Sequence, residues 1–153
     1  TQTMFDLFGR GHDLVERLRR RIDETIAAYI AHLPEDAGHP FLSRRSGKFG
    51  YAGSWSSRLR DCGYHDNHFH QKGWISSAYY IALPDAVNDA QKKEGWIKFG
   101  EPSFDAGISD PVRRAVKPQG GKLVLFPSYM WHGTVPFHSS QSRTTLAFDA
   151  VPK

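Results

Sequence analysis

Gly-Gly-Lys-Leu-Val-Leu-Phe-Pro-Ser-Tyr-Met-Trp-His-Gly-Thr-Val-Pro, residues 120–136, decides how the chain reads. The glycine pair is a turn, Lys122–Phe126 an apolar strand, and His132–Val135 a second strand that starts on a histidine between Trp131 and Gly133. A histidine placed at the end of a buried strand sits where a pocket floor would be. Eleven residues further on, Arg143 opens Arg-Thr-Thr-Leu-Ala-Phe. Side chains alternate along a strand, so Thr144, Leu146 and Phe148 share one face, with Arg143 and Thr145 on the other. If that second face lines the interior of a barrel, an unpaired guanidinium there is costly, and a bidentate carboxylate is its best geometric partner.

Working outward, the same texture of short β-prone runs broken by Gly, Pro, Asp and Ser continues through Ser54–Arg60, Trp74–Leu83, Gly95–Phe99, Arg114–Lys117 and Thr144–Val151. About eight short strands after one helix predict a mainly β domain, closed or sandwich-like and antiparallel. The helix is read over residues 13–33, where Val15, Leu18, Ile22, Ile26, Tyr29, Ile30 and Leu33 form one apolar face and Asp13 is the candidate N-cap. It is expected to cover one side of the sheet. Residues 85–94 and 103–113 read as polar loops at strand ends, where function often resides.

The 153 residues amount to one domain, with a helical lead-in over about 1–45 and a β core over about 46–153. A net charge of +4 is scattered, and its one dense run, Arg17–Arg21, lies on the helix among acidic residues, as a solvated face would. Nucleic acid as main partner is not supported. Cys62 is the only cysteine, which rules out an intrachain disulfide and makes the reducing cytoplasm the expected compartment. No apolar stretch is long enough for a membrane span, and no signal peptide opens the sequence. A chain that begins on Thr1 and runs straight into structured-looking sequence is expected to be a processed chain or a domain of a longer protein.

Three of the eight histidines crowd into His65-Asp-Asn-His68-Phe-His70. Alternation puts His68 and His70 on one face together with Asp66, and His65 on the other. Two imidazoles on one face clasp a metal when a third ligand arrives from elsewhere. A His-x-His pair alone is also met as surface or core histidines.

Taken together, a His-x-His motif, a histidine some sixty residues later and an arginine about ten beyond it resemble the 2-oxoglutarate/iron(II) oxygenase superfamily. Ile-Ser-Ser-Ala-Tyr-Tyr-Ile (75–81) is similar to the Tyr-Tyr strand of the prolyl-hydroxylase-like branch. Gly-Trp-Ile-Lys-Phe-Gly-Glu-Pro (95–102) and Leu123–Pro136 resemble segments of a bacterial and phage subgroup. Ser54-Trp55-Ser56 and Gly73-Trp74-Ile75-Ser76 look like members that follow tetratricopeptide arrays, so a longer repeat-containing protein is one expectation. The resemblance covers roughly residues 40–153.

It implies a double-stranded β-helix (jelly roll) with the N-terminal amphipathic helix packed on the sheet, iron(II), 2-oxoglutarate as co-substrate, and O2. It further implies His68, His70 and His132 as metal ligands, and Arg143 as the anchor of the oxoacid's far carboxylate, helped by Thr145 and by Tyr79, the first of the tyrosine pair. Trp131, Trp55 and Tyr129 are candidate pocket walls, each equally readable as core. His65 and His138 read as structural or exposed. One departure stands out: the superfamily usually writes His-x-Asp or His-x-Glu, where this chain has His68-Phe69-His70. Asp66 is therefore the alternative third ligand, and water in that place is a further one. A cupin-type metal enzyme that uses no oxoacid is the nearest rival, but it gives Arg143 no task. A non-catalytic jelly-roll binding module is the other. The prime substrate is not legible.

Overall fold

Strand β8 (Arg143–Pro152) organises the molecule, because both of its faces are covered. In the computed structural model, which describes residues 1–105, 107 and 110–153, it is preceded by β1 (Gln2–Phe5), α1 (Asp13–His32), β2 (Phe49–Leu59), β3 (Ile75–Ala82), β4 (Ile97–Phe99), β5 (Arg114–Val116), β6 (Leu123–Pro127) and β7 (His132–Thr134). Five strands make one antiparallel sheet in the order β1-β2-β8-β3-β6, and three make a second in the order β5-β4-β7. The two sheets face each other: Ala78 and Tyr80 of β3 and Phe126 of β6 pack against Ile97 and Phe99 of β4. With one long helix on the outer side of the large sheet, this is the double-stranded β-helix that the resemblance implies.

Alternation in β8 allots the layers. Leu146, Phe148 and Ala150 point outward and form a core with Ile22, Ile26 and Ile30 of α1, together with Phe8, Phe41, Trp74 and Ile75. The three isoleucines are four apart, one stripe of a 3.6-residue helix, and each full burial of such a side chain contributes about 1.5–3 kcal/mol. Arg143, Thr145 and Ala147 point the other way, into a cavity between the sheets. No helix among the described residues is long and apolar enough to cross a membrane. In the Arg17–Arg21 run, Arg17, Arg20 and Arg21 are exposed, Arg21 pairing with Glu24 at 3.0 Å, while Arg19 lies over the Phe8 and Tyr51 rings with Asp23 at 3.9 Å.

Several boundaries correct the sequence reading. The helix is capped by His12, whose Nδ1 accepts from the Leu14 amide at 3.2 Å, so Asp13 is its first residue and not its cap. It stops at His32, since Leu33 precedes Pro34 and is extended. Strand β1 escapes a pattern reading altogether: all four of its residues are exposed, and it is held by pairing with β2 and by Arg10 Nε donating to the Phe5 carbonyl at 3.1 Å. In the polar loop expected at 85–94, Asp85–Asn88 forms a short 3-10 turn that buries Val87. Of the loop expected at 103–113, residues 106, 108 and 109 lie outside the described residues, and no regular element occupies the others.

Candidate metal centre

The segment from His65 to His70 is not a regular strand. It runs beside β7 and is tied to it by paired backbone hydrogen bonds, His68 N to His132 O and His132 N to His68 O, both 2.9 Å. Thr134 N to His65 O at 3.0 Å and His70 N to Ser128 O at 2.8 Å fix its two ends. Gly133 makes this approach possible, because a Cβ there would lie 2.5 Å from Asn67 Oδ1 and 2.9 Å from the His65 carbonyl oxygen.

The result brings His68, His70 and His132 together. Their rings stand 4.3 Å (68–132), 5.1 Å (68–70) and 5.2 Å (70–132) apart between centroids, and one ring nitrogen from each lies within 4.8 Å of the other two. Each ring is held by its Nδ1: His68 by the Asp66 carbonyl at 2.6 Å, His132 by the Met130 carbonyl at 3.0 Å, and His70 by the Asp149 carboxylate at 2.6 and 2.7 Å. Carbonyls and carboxylates only accept, so each Nδ1 carries the proton and each Nε2 keeps its lone pair. Burial holds His68 and His132 below the ordinary histidine pKa, His132 at about 3, with the neighbouring His68 adding to the effect on His132. These rings are neutral at pH 7, the form a metal requires. Three convergent imidazoles, each with its Nδ1 already engaged and its Nε2 left for another partner, fit a divalent iron-like cation. Asp66 offers the centre only its backbone: its side chain is exposed and its carboxylate is outside the converging group.

The centre opens into a cavity of about 60 Å³ lined by Trp55, Ser57, Ser77, Thr145, Ala147 and Arg143 among others. At roughly 10–15 Å³ for each water position, such a space takes about five waters, comparable to a small dicarboxylate and too little for a macromolecule. Arg143 is 2% exposed; its Nε donates to the Gly95 carbonyl at 3.0 Å and its guanidinium lies 5.3 Å over the Tyr80 ring. Gly95, at φ +71°, turns that carbonyl inward. Among the described residues no carboxylate pairs with Arg143. Burial depresses its pKa and raises that of Tyr80, each shift partly offset by the other group; the buried Tyr80 hydroxyl lies against the guanidinium and has no further partner among the described residues. A buried cation that lacks a carboxylate partner, beside a buried hydroxyl, makes a receptor for an anion.

The expected site residues fall into two groups. His68, His70, His132, Arg143, Thr145 and Trp55 line this one cavity, Trp55 lying 5.7 Å from the His70 ring. Tyr79 does not: it packs on the helix side of β3, and alternation gives the interior place to Tyr80. Trp131 packs outside the cavity against Phe69 and Phe104, and Tyr129 is 51% exposed on the rim of a neighbouring groove.

Two residues were missed by the sequence reading. His65, assigned to the opposite face, lines the cavity between Ser57 Oγ (3.0 Å) and Thr134 Oγ1 (3.2 Å), with its pKa held to about 4 by burial first and by Arg143 second. Asp149 lies on the interior face of β8 in phase with Arg143, and extending that alternation by three steps would have found it. His138 is exposed, as expected, and stands beside Cys62 and Asp61.

Residues 53–149, more than half of the chain, match the sequence profile of a family described as "Putative 2OG-Fe(II) oxygenase", and the chain belongs to that family. No curated protein matches it in sequence. Solved structures share its fold. A 2OG-Fe(II) oxygenase-family oxidoreductase from Burkholderia pseudomallei is 12% identical with a TM-score of 0.51, over 72% of this chain and 48% of that one, so the chain spans about half of that protein. A prolyl-4-hydroxylase from Pseudomonas putida is 14% identical with a TM-score of 0.63, over 99% of this chain and 72% of that one. The viral collagen prolyl hydroxylase of Paramecium Bursaria Chlorella virus-1, as its 2OG complex, is 10% identical with a TM-score of 0.62, over 99% and 79% respectively.

Proposed function

We propose that the chain holds iron(II) on His68, His70 and His132, binds 2-oxoglutarate with its far carboxylate on Arg143, and couples decarboxylation of that oxoacid to hydroxylation of a second substrate. The observation that carries this reading is the commitment of all three Nδ1 atoms to acceptors, which leaves three Nε2 lone pairs for one cation beside a cavity that ends in a buried, unpaired arginine. Bound iron(II), with the oxoacid and O2, would supply the oxidising chemistry.

The chain's own residues do the rest. Arg143 neutralises the distal carboxylate, and Thr145 and the Tyr80 hydroxyl are placed to add hydrogen bonds to it. Trp55 and Ala147 wall the cavity and exclude water. His65 is locked by Ser57 and Thr134 and keeps the wall neutral beside the arginine. The cavity is too small for both molecules, so the prime substrate approaches from its mouth.

Anaerobic titration tests the reading. One divalent iron per chain is expected, with 2-oxoglutarate binding to the metal-loaded protein and succinate released when O2 and a substrate are supplied. Absence of stoichiometric metal removes the proposal. Metal binding with no affinity for the oxoacid returns the chain to the cupin reading.

A further inference from the structure

Asp149 stands one hydrogen bond behind the candidate centre, and nothing in the usual two-histidine, one-carboxylate pattern assigns it a task. Its oxygens lie 2.6 and 2.7 Å from His70 Nδ1, and the two side chains are 15% and 17% exposed. Ser76, its cross-strand partner on β3, is fully buried; its Oγ donates to Asp149 Oδ1 at 2.6 Å and is hydrogen-bonded to Ser128 Oγ at 2.8 Å. The same Ser128 accepts the His70 amide on its carbonyl at 2.8 Å. Carboxylate and ring are therefore clamped by one set of strand ends.

The charge count gives the clamp its meaning. Three neutral imidazoles bring no negative charge to a divalent cation, and a partly desolvated cation without one is costly. The other two rings lean on backbone carbonyls. Among the described residues, Asp149 is the one carboxylate hydrogen-bonded to any of the three. A carboxylate on the far nitrogen of a ligating histidine fixes its tautomer and orientation and raises its basicity.

Resting on the three-histidine reading, we infer that Asp149 is a positioning residue which supplies, through His70, the anionic character that the His-x-His pattern lacks. It keeps the proton on Nδ1, aims Nε2 at the metal and strengthens it as a donor. Asp66 has no part in this.

Cobalt(II) titration of the apo protein tests the inference without any turnover. Asp149→Asn is expected to weaken cobalt binding by about 10- to 100-fold, the range typical for loss of such a partner. In a His70→Ala background the same substitution should change affinity little, because its route to the metal is gone. Metal binding that fails in the wild type overturns the three-histidine reading itself. Equal affinity in wild type and Asp149→Asn overturns only the role of Asp149, and so does an equal loss in both backgrounds.

A measurement on the wild type decides the matter if Asp149→Asn does not fold. The nitrogen-15 spectrum of the zinc-loaded protein should show His70 with a strongly deshielded proton on Nδ1 and none on Nε2. His70 with its proton on Nε2 would overturn the inference.

Discussion

At the scale of single residues, Arg143 bears the heaviest electrostatic load. Its guanidinium is buried against the Gly95 carbonyl and the ring and hydroxyl of Tyr80, with no carboxylate pairing it among the described residues, so the oxoacid's carboxylate would complete a charge pair already stripped of water. Truncating one member of such a pair costs on the order of 2–5 kcal/mol, and each ~1.4 kcal/mol is tenfold in affinity. Arg143→Ala is thus expected to weaken 2-oxoglutarate binding by about 30-fold or more while metal affinity holds, as calorimetry on both ligands would read. Unchanged oxoacid affinity would remove Arg143 from the co-substrate site. The convergence of His68, His70, His132 and Arg143 on one cavity was legible because each is an expensive residue in an apolar or tightly spaced setting. Tyr79 was taken for Tyr80 because a tyrosine pair reads alike in either phase; only the register with β8, which sets Tyr80 opposite Thr145, shows which ring enters the interior. Asp149 lies within the same strand and in phase with Arg143, but alternation alone does not tell a carboxylate that braces a histidine from one that faces water.

At the scale of elements, the approach of residues 65–70 to β7 sets the spacing of the three histidine rings, and Gly133 permits it. A methyl group at this position would meet the His65 carbonyl, which as backbone cannot swing aside. Gly133→Ala is expected to cost about 1–3 kcal/mol of stability, the usual range for overpacking, and to weaken metal binding by parting His68 from His132. Gly120→Ala, where nothing lies within 4 Å of the new methyl, is the control and should leave both unchanged. Thermal melts with and without metal distinguish the two variants. Strand periodicity recovered the cores of β2 to β8, but it misplaced His65, because the 65–70 segment makes a single bridge and does not keep a strand's strict alternation. The strand β1 carries no apolar face to reveal it, and the helix cap was missed because His12 is an uncommon capping residue beside an acceptable Asp13.

At the scale of the whole molecule, buried neutral histidines tie folding to acidity. His65 and His132 titrate at about 4 and about 3 in the folded chain, displaced chiefly by burial, against an ordinary 6.5. The unfolded chain takes up these protons first as pH falls, so stability is fully present above about 6.5 and drains away between there and about 3. Urea unfolding of the apo protein should therefore show a midpoint that falls steadily from pH 7 to pH 4.5, and His65→Gln should flatten the slope; a midpoint independent of pH in that interval would contradict the burial of both rings. Strand β8 adds a constraint of another kind. Its even-numbered residues from 146 to 150 seal the helix layer, while Arg143, Thr145 and Ala147 line the cavity and Asp149 braces His70 behind it. Inserting or deleting one codon inside this stretch would exchange oil for charge along its length, driving an arginine or an aspartate toward the isoleucines of α1 and turning leucine and phenylalanine into the cavity. A one-residue insertion or deletion is therefore expected to be tolerated in the turns on either side of β8 and not within it, where it would turn every following side chain to the wrong face.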